Sequence, residues 1–181
     1  MHLLELLATL GAVQGILLLL LILLRFRHHK NLPLALLVLV FSVRLGTIPS
    51  WNPGILLASP WLYPATAPLP FLFGPLLWWY ARELAHEEDA PPPLLFLHFL
   101  PYVAEVAAVS YSVYMRSPSE YAALLQAIFA GTPPLWLPIR NGLKVVLNIV
   151  YIVLTARIAF GTAMEGLGSA RRAWLRALVV V

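Results

Sequence analysis

On its sequence this chain is all-α, a polytopic transmembrane helix bundle of five spans plus the start of a sixth, with the N-terminus outside. Three observations predict that class. Leu3 to Leu24 is a run of 22 residues whose only strong charge is Glu5; about twenty apolar residues let a helix cross a hydrocarbon core of roughly 30 Å. The run ends in Arg25-Phe26-Arg27-His28-His29-Lys30, and a basic cluster beside a span marks its cytoplasmic side. The 181 residues are 61% hydrophobic and 11% charged. Soluble domains run at about 45–50% and about 25%, so this excess does not fit inside a soluble core of the same size.

The elements follow in order. The first span is too long for a cleavable signal peptide, and no small-residue cleavage site follows it. The second runs from about Leu32 to Ile48, with Asn31 as N-cap and Pro33 in the first turn, where proline is tolerated. Ser50 to Pro70 carries five prolines, Gly54, Trp51, Trp61 and Tyr63. That proline density breaks a helix, and Trp and Tyr favour the membrane–water boundary, so it reads as an outer interfacial or re-entrant segment. The third span is about Leu69 to Leu84; Gly74-Pro75 kinks it or defines its start. Glu87-Glu88-Asp89 and the prolines before Leu94 form an inner loop. The fourth span is about Leu94 to Tyr114. In the outer segment that follows, Ser119 to Ala130 forms a surface helix capped by Ser117 or Ser119 and stopped by Gly131. The fifth span is Asn141 to Phe160. Gly161 to Arg176 is an inner loop, and a sixth span begins near Ala177. Because that last apolar run stops short, residues 1–181 read as one transmembrane sensor or anchor domain truncated at its C-terminus.

The basic residues test this scheme. Arg25, Arg27, Lys30, Arg82, Arg157, Arg171, Arg172 and Arg176 fall at inner ends; Arg44, Arg116, Arg140 and Lys144 fall in outer halves. The bias fits an N-out start. The net charge of +4 therefore reflects topology rather than a nucleic-acid footprint.

Polar residues at membrane depth are the candidate site. An acid there is costly and turns towards the bundle interior and a partner. Glu105, Arg44 and Asn148 each lie about twelve residues from the inner end of their spans, hence at a common depth at about 1.5 Å per residue. The expectation is a Glu105–Arg44 pair with Asn148 nearby, either a polar ligand pocket or an ion pair that only fixes register. His98 lies seven residues before Glu105, on the same helix face, with Pro101 between them freeing a carbonyl. Trp78, Tyr80 and Tyr151 complete the expected pocket. Gly11 and Gly15 make a small-xxx-small face on the first helix, which allows close packing within the chain or a homodimer. Gly74, Pro75 and Pro101 shape helix packing.

The chain has no cysteine, so thiol chemistry, disulfides and cysteine metal sites are excluded. Adjacent His28 and His29 point about 100° apart on a helix and make a poor metal site. No Gly-rich phosphate loop, HExxH or nucleophile elbow is present. No metal and no cofactor is expected, nor an enzyme.

Four motifs in order carry a family resemblance. Phe73-Gly74-Pro75-Leu76-Leu77-Trp78-Trp79-Tyr80-Ala81-Arg82-Glu83-Leu84, Leu97-His98-Phe99-Leu100-Pro101, Arg172-Ala173-Trp174-Leu175-Arg176 and the opening Leu10-Gly11-Ala12-Val13-Gln14-Gly15 resemble stretches of membrane-anchored AraC/XylS-type bacterial transcription regulators. The resemblance implies a multi-pass region of the bacterial inner membrane that transmits a ligand or membrane signal to a cytoplasmic helix-turn-helix domain. These residues lack that DNA-binding half, so they are expected to bind no nucleic acid themselves. Their partners would be the lipid bilayer and a small or lipophilic ligand. Trp78-Trp79 departs from the family's usual Leu-Tyr. The alternative is a small transporter or channel-like bundle in which Glu105, Arg44 and Asn148 line a polar path.

Overall fold

The structure is a computed structural model that describes residues 3–26, 28–85, 94–161 and 169–180, with side chains of the last segment from Ala173 to Leu178. Among the described residues it is helical throughout, without strands. Four stretches are long and apolar enough to cross a membrane: Leu3–Arg25, His29–Ser50, Leu95–Tyr114 and Trp136–Phe160.

Helix α1 (Leu3–Arg25) buries only Ala8, Ala12 and Ile22, because leucines cover the rest of its surface. Its small-residue stripe packs on α2 (Leu32–Gly46). A methyl on Gly11 would come 3.1 Å from the end of Leu45, one on Gly15 would collide with Ser42, and one on Gly46 would meet Ala12. The Gly11–Gly15 face is thus filled within the chain. Asn31 does not cap α2 with its side chain; it closes a 3-10 turn, His29–Asn31, and its amide donates to the Phe26 carbonyl at 3.0 Å. The basic loop folds back on itself, so the asparagine bonds backwards rather than forwards.

The proline-rich stretch is not extended. It winds into two short helices, α3 (Pro53–Ala58) and α4 (Leu62–Thr66). Helix α5 (Pro70–Ala85) follows, with Pro75 inside it, so Gly74-Pro75 does not mark its start. It packs between α2 and α8 (Trp136–Phe160). A 3-10 turn, Leu95–Phe99, leads into α6 (Leu100–Tyr114). Pro101 therefore sits in the first turn of α6, where its missing N–H is not needed, and breaks no helix there. Helix α7 (Pro118–Phe129) starts with a full capping box between Ser117 and Glu120 and ends before Gly131, whose φ is 79°.

The expected inner loop Gly161 to Arg176 is corrected in its second half, which is helix α9 (Ser169–Val180). Leu175 is fully buried against Ala81 and Ala159, where two alanines let the helices close up. Arg27, the Glu87-Glu88-Asp89 loop and the side chains of Arg171 and Arg172 lie outside the described residues.

The bundle therefore has two chemically distinct ends. Arg25 and Arg157 lie in the last turns of α1 and α8. Trp51, Tyr63 and α7 lie at the other end, around a core of Leu56, Val109 and Leu125.

A cationic cluster as the candidate functional site

Helix α8 places Arg140, Lys144 and Asn148 about one turn apart on one face, at every fourth position. Glu105 of α6 meets that face. Its carboxylate is 2.9 Å from Arg140 Nε and 3.3 Å from Lys144 Nζ, and its side chain is only 6% exposed. The Arg140 N–H is not aimed at the oxygen, so charge rather than a linear hydrogen bond holds the contact.

The same cations brace the chain around them. Lys144 Nζ donates to the Ala67 carbonyl at 3.1 Å, which Pro70, three residues on and without an N–H, cannot serve. The Asn148 amide donates to the Pro70 carbonyl at 3.0 Å and to the Lys144 carbonyl at 2.8 Å. Arg140 Nη2 donates to the Tyr63 hydroxyl at 2.9 Å, and its guanidinium lies 5.0 Å from the centre of the Trp136 ring.

The expected Glu105–Arg44 pair is corrected. The cations on Glu105 come from α8, and Arg44 turns its guanidinium over the Trp51 ring at 4.6 Å. Its Nη1 and the Trp51 Nε1 are both buried and donate to no partner among the described residues. Equal depth did not imply adjacency, because α2 packs on α1 and α5 while Glu105 of α6 is met by α8.

Trp78, His98 and Tyr151 form a separate group further along α8. His98 Nδ1 and the Tyr151 hydroxyl are 2.7 Å apart, one donating to the other according to the histidine tautomer. The Trp78 and His98 rings lie 4.3 Å apart. Tyr151 is seven residues beyond Lys144, and His98, in the 3-10 turn before α6, is seven before Glu105, so side chains bridge the two antiparallel segments at two levels. Tyr80 belongs to neither group; its hydroxyl accepts from Trp174 Nε1 of α9 at 3.1 Å. The seven expected pocket residues thus occupy four places rather than one pocket.

A cavity lies elsewhere. A cleft of about 710 Å³ opens between the α1–α2 pair and α9, bounded by Gln14, Phe41, Tyr80 and Trp174. Sequence reasoning missed the roles of Arg140, Lys144 and Tyr63. The signal was present in the four-residue spacing of Arg140, Lys144 and Asn148 in an otherwise apolar helix.

Among the described residues no three His, Asp or Glu side chains converge as metal ligands. No family model, no curated protein and no solved structure matches the chain.

Proposed function

We propose that the chain is a non-enzymatic sensory or anchoring region of a multi-pass protein of the bacterial inner membrane. It crosses five times with its N-terminus outside and serves a cytoplasmic helix-turn-helix domain, as in the AraC-type regulators its motifs resemble. The observation that supports a signalling role is the reach of α8. One helix holds the buried Glu105 ion cluster near its start and packs against α9 at its far end through Ala159 and Leu175. A change in the charge cluster that moves α8 would therefore move α9, the element next to the cytoplasmic output. A ligand drives that shift only if it prefers one packing over the other.

The test is a distance measurement in the whole chain in lipid nanodiscs. Spin labels at Asn31→Cys and Ala177→Cys report α9 against the start of α2. Glu105→Gln should displace or broaden the distance distribution; an unchanged distribution sinks the coupling. If vesicles carrying the chain instead conduct protons, and Glu105→Gln stops the flux, the transporter reading replaces the sensor. The regulator assignment is tested by the DNA beyond the codon for Val181, where an open frame into a helix-turn-helix domain is expected. A stop codon there leaves the sensor without an output.

A further inference from the structure

We infer that Arg44 and Trp51, backed by the α8 cations, form a binding site for an oxyanionic group such as a phosphate at the Trp51 end of the bundle. Charge is the first argument. Glu105 is engaged by the two α8 cations, Arg140 and Lys144, so one positive charge of that cluster is left unmatched. Among the described residues Arg44 forms no salt bridge, and its guanidinium faces the Trp51 ring. Two half-buried positive charges remain in excess.

Unmet hydrogen-bonding capacity is the second argument, and it is independent of charge. Arg44 Nη1 and Trp51 Nε1 are both buried without a hydrogen-bond partner among the described residues, and the guanidinium lies 4.6 Å from the Trp51 ring centre. Both are donors with no acceptor capacity. Buried donors left unsatisfied are costly, and one group answers both: a negatively charged acceptor with more than one oxygen. Guanidinium is suited to this, because its fork of N–H groups matches phosphate and carboxylate oxygens two at a time. The indole adds a further donor beside the fork.

Position is the third argument. Trp51, Tyr63 and Trp136 surround the cations, and such aromatics sit at the level of lipid headgroups. A headgroup phosphate and a free phosphate share the chemistry that these donors recognise. The assignment needs the bundle but not the regulator reading, and stands if signalling through α9 fails.

The experiment measures the thermal unfolding midpoint of the whole chain in zwitterionic detergent. Short-chain phosphatidylglycerol, short-chain phosphatidylcholine and inorganic phosphate are titrated in turn, each against chloride at equal ionic strength to remove general screening. The midpoint should rise with phosphatidylglycerol and not with phosphatidylcholine. A matching rise with inorganic phosphate makes a free anion sufficient; a rise with the lipid alone makes the headgroup the source. Arg44→Gln should weaken the apparent affinity about tenfold or more. Trp51→Phe, which keeps the ring and removes only the N–H, should weaken it less. Arg116→Gln, whose arginine bonds the Ser112 carbonyl, should leave it unchanged. If Arg44→Gln does not fold, native mass spectrometry of the unsubstituted chain and Trp51→Phe decide, with one retained phosphatidylglycerol expected on the former. No anion-specific rise, no retained anionic lipid, or undiminished binding by Arg44→Gln overturns the site and leaves the donors to water.

Discussion

Removing the Glu105 carboxylate leaves Arg140 and Lys144 side by side with nothing to absorb their charge. Breaking a buried pair by deleting one partner costs about 3–5 kcal/mol, and Glu105 is only 6% exposed. Glu105→Ala should therefore destabilise the bundle by an amount in that range, read from detergent or urea unfolding. The partner is identified by a double-mutant cycle. Glu105→Ala combined with Arg140→Ala should be no worse than the harsher single variant. Combined with Arg44→Ala, the effects should add to within about 0.5 kcal/mol. Additivity with Arg140 and coupling with Arg44 would reverse the assignment. That the acid mattered was legible in the sequence, because a carboxylate at that depth demands a partner. Which cation answered was not legible, because depth is one coordinate and the rotation of α2 about its axis is another.

Helices α5 and α8 approach closely at Gly74, and the two elements register that contact differently from their other glycines. A methyl on Gly74 would come 2.8 Å from Tyr151 Cβ, close to the backbone and unable to swing away. Gly74→Ala should cost about 1–3 kcal/mol by overpacking. Gly142 has open space around it, so Gly142→Ala in α8 should be neutral or stabilising by up to about 1 kcal/mol. Equal effects at both sites would contradict the tight seam. Helix α7 depends on its first turn. The Ser117 backbone N–H and hydroxyl donate to the Glu120 carboxylate, both at 2.8 Å. Those two bonds, with a smaller contribution from Arg116, hold its pKa below the ordinary glutamate value. A depressed folded value makes this support complete above the ordinary value and lost as pH falls through the lower one. Amide exchange in α7 should thus accelerate selectively in acid. Ser117→Ala removes the hydroxyl but keeps the backbone donor, so it should cost about 1 kcal/mol and shrink the pH step, whereas Glu120→Gln should abolish the step. A pH step that persists in Glu120→Gln would discount the box. The sequence shows α7 to within one residue at each end, while the choice of cap between Ser117 and Ser119 falls to Ser117 in the structure. Helix α9 joins the second half of the expected inner loop to the expected start of a sixth span, and what makes it one helix is the packing of Leu175 on Ala81 and Ala159, which no local pattern shows.

Across the whole molecule, the fifth crossing is the point that length alone leaves to experiment. Helix α8 has 25 residues, about 37 Å at about 1.5 Å per residue, whereas α5 has 16, about 24 Å. The shorter helix falls below the roughly 30 Å of a hydrocarbon core. It crosses only if the buried turns before Pro70, which include Ala67, Pro68 and Leu69, complete its path through protein rather than lipid, where irregular backbone is tolerated. The carbonyl of Ala67, held by Lys144, is satisfied in that way. Parity gives the test. Between His28 and Ser119 the chain passes α2, α5 and α6, so three crossings put these residues on opposite faces and two put them on the same face. The sequence contains no cysteine, so His28→Cys and Ser119→Cys each carry a unique label site at an exposed position. A membrane-impermeant maleimide applied to intact cells should label Ser119→Cys alone, and His28→Cys only after the membrane is opened. Labelling of both or of neither in intact cells means that α5 does not cross. The reverse pattern keeps five crossings and inverts the molecule, which would place the Arg44–Trp51 donors against the anionic cytoplasmic leaflet.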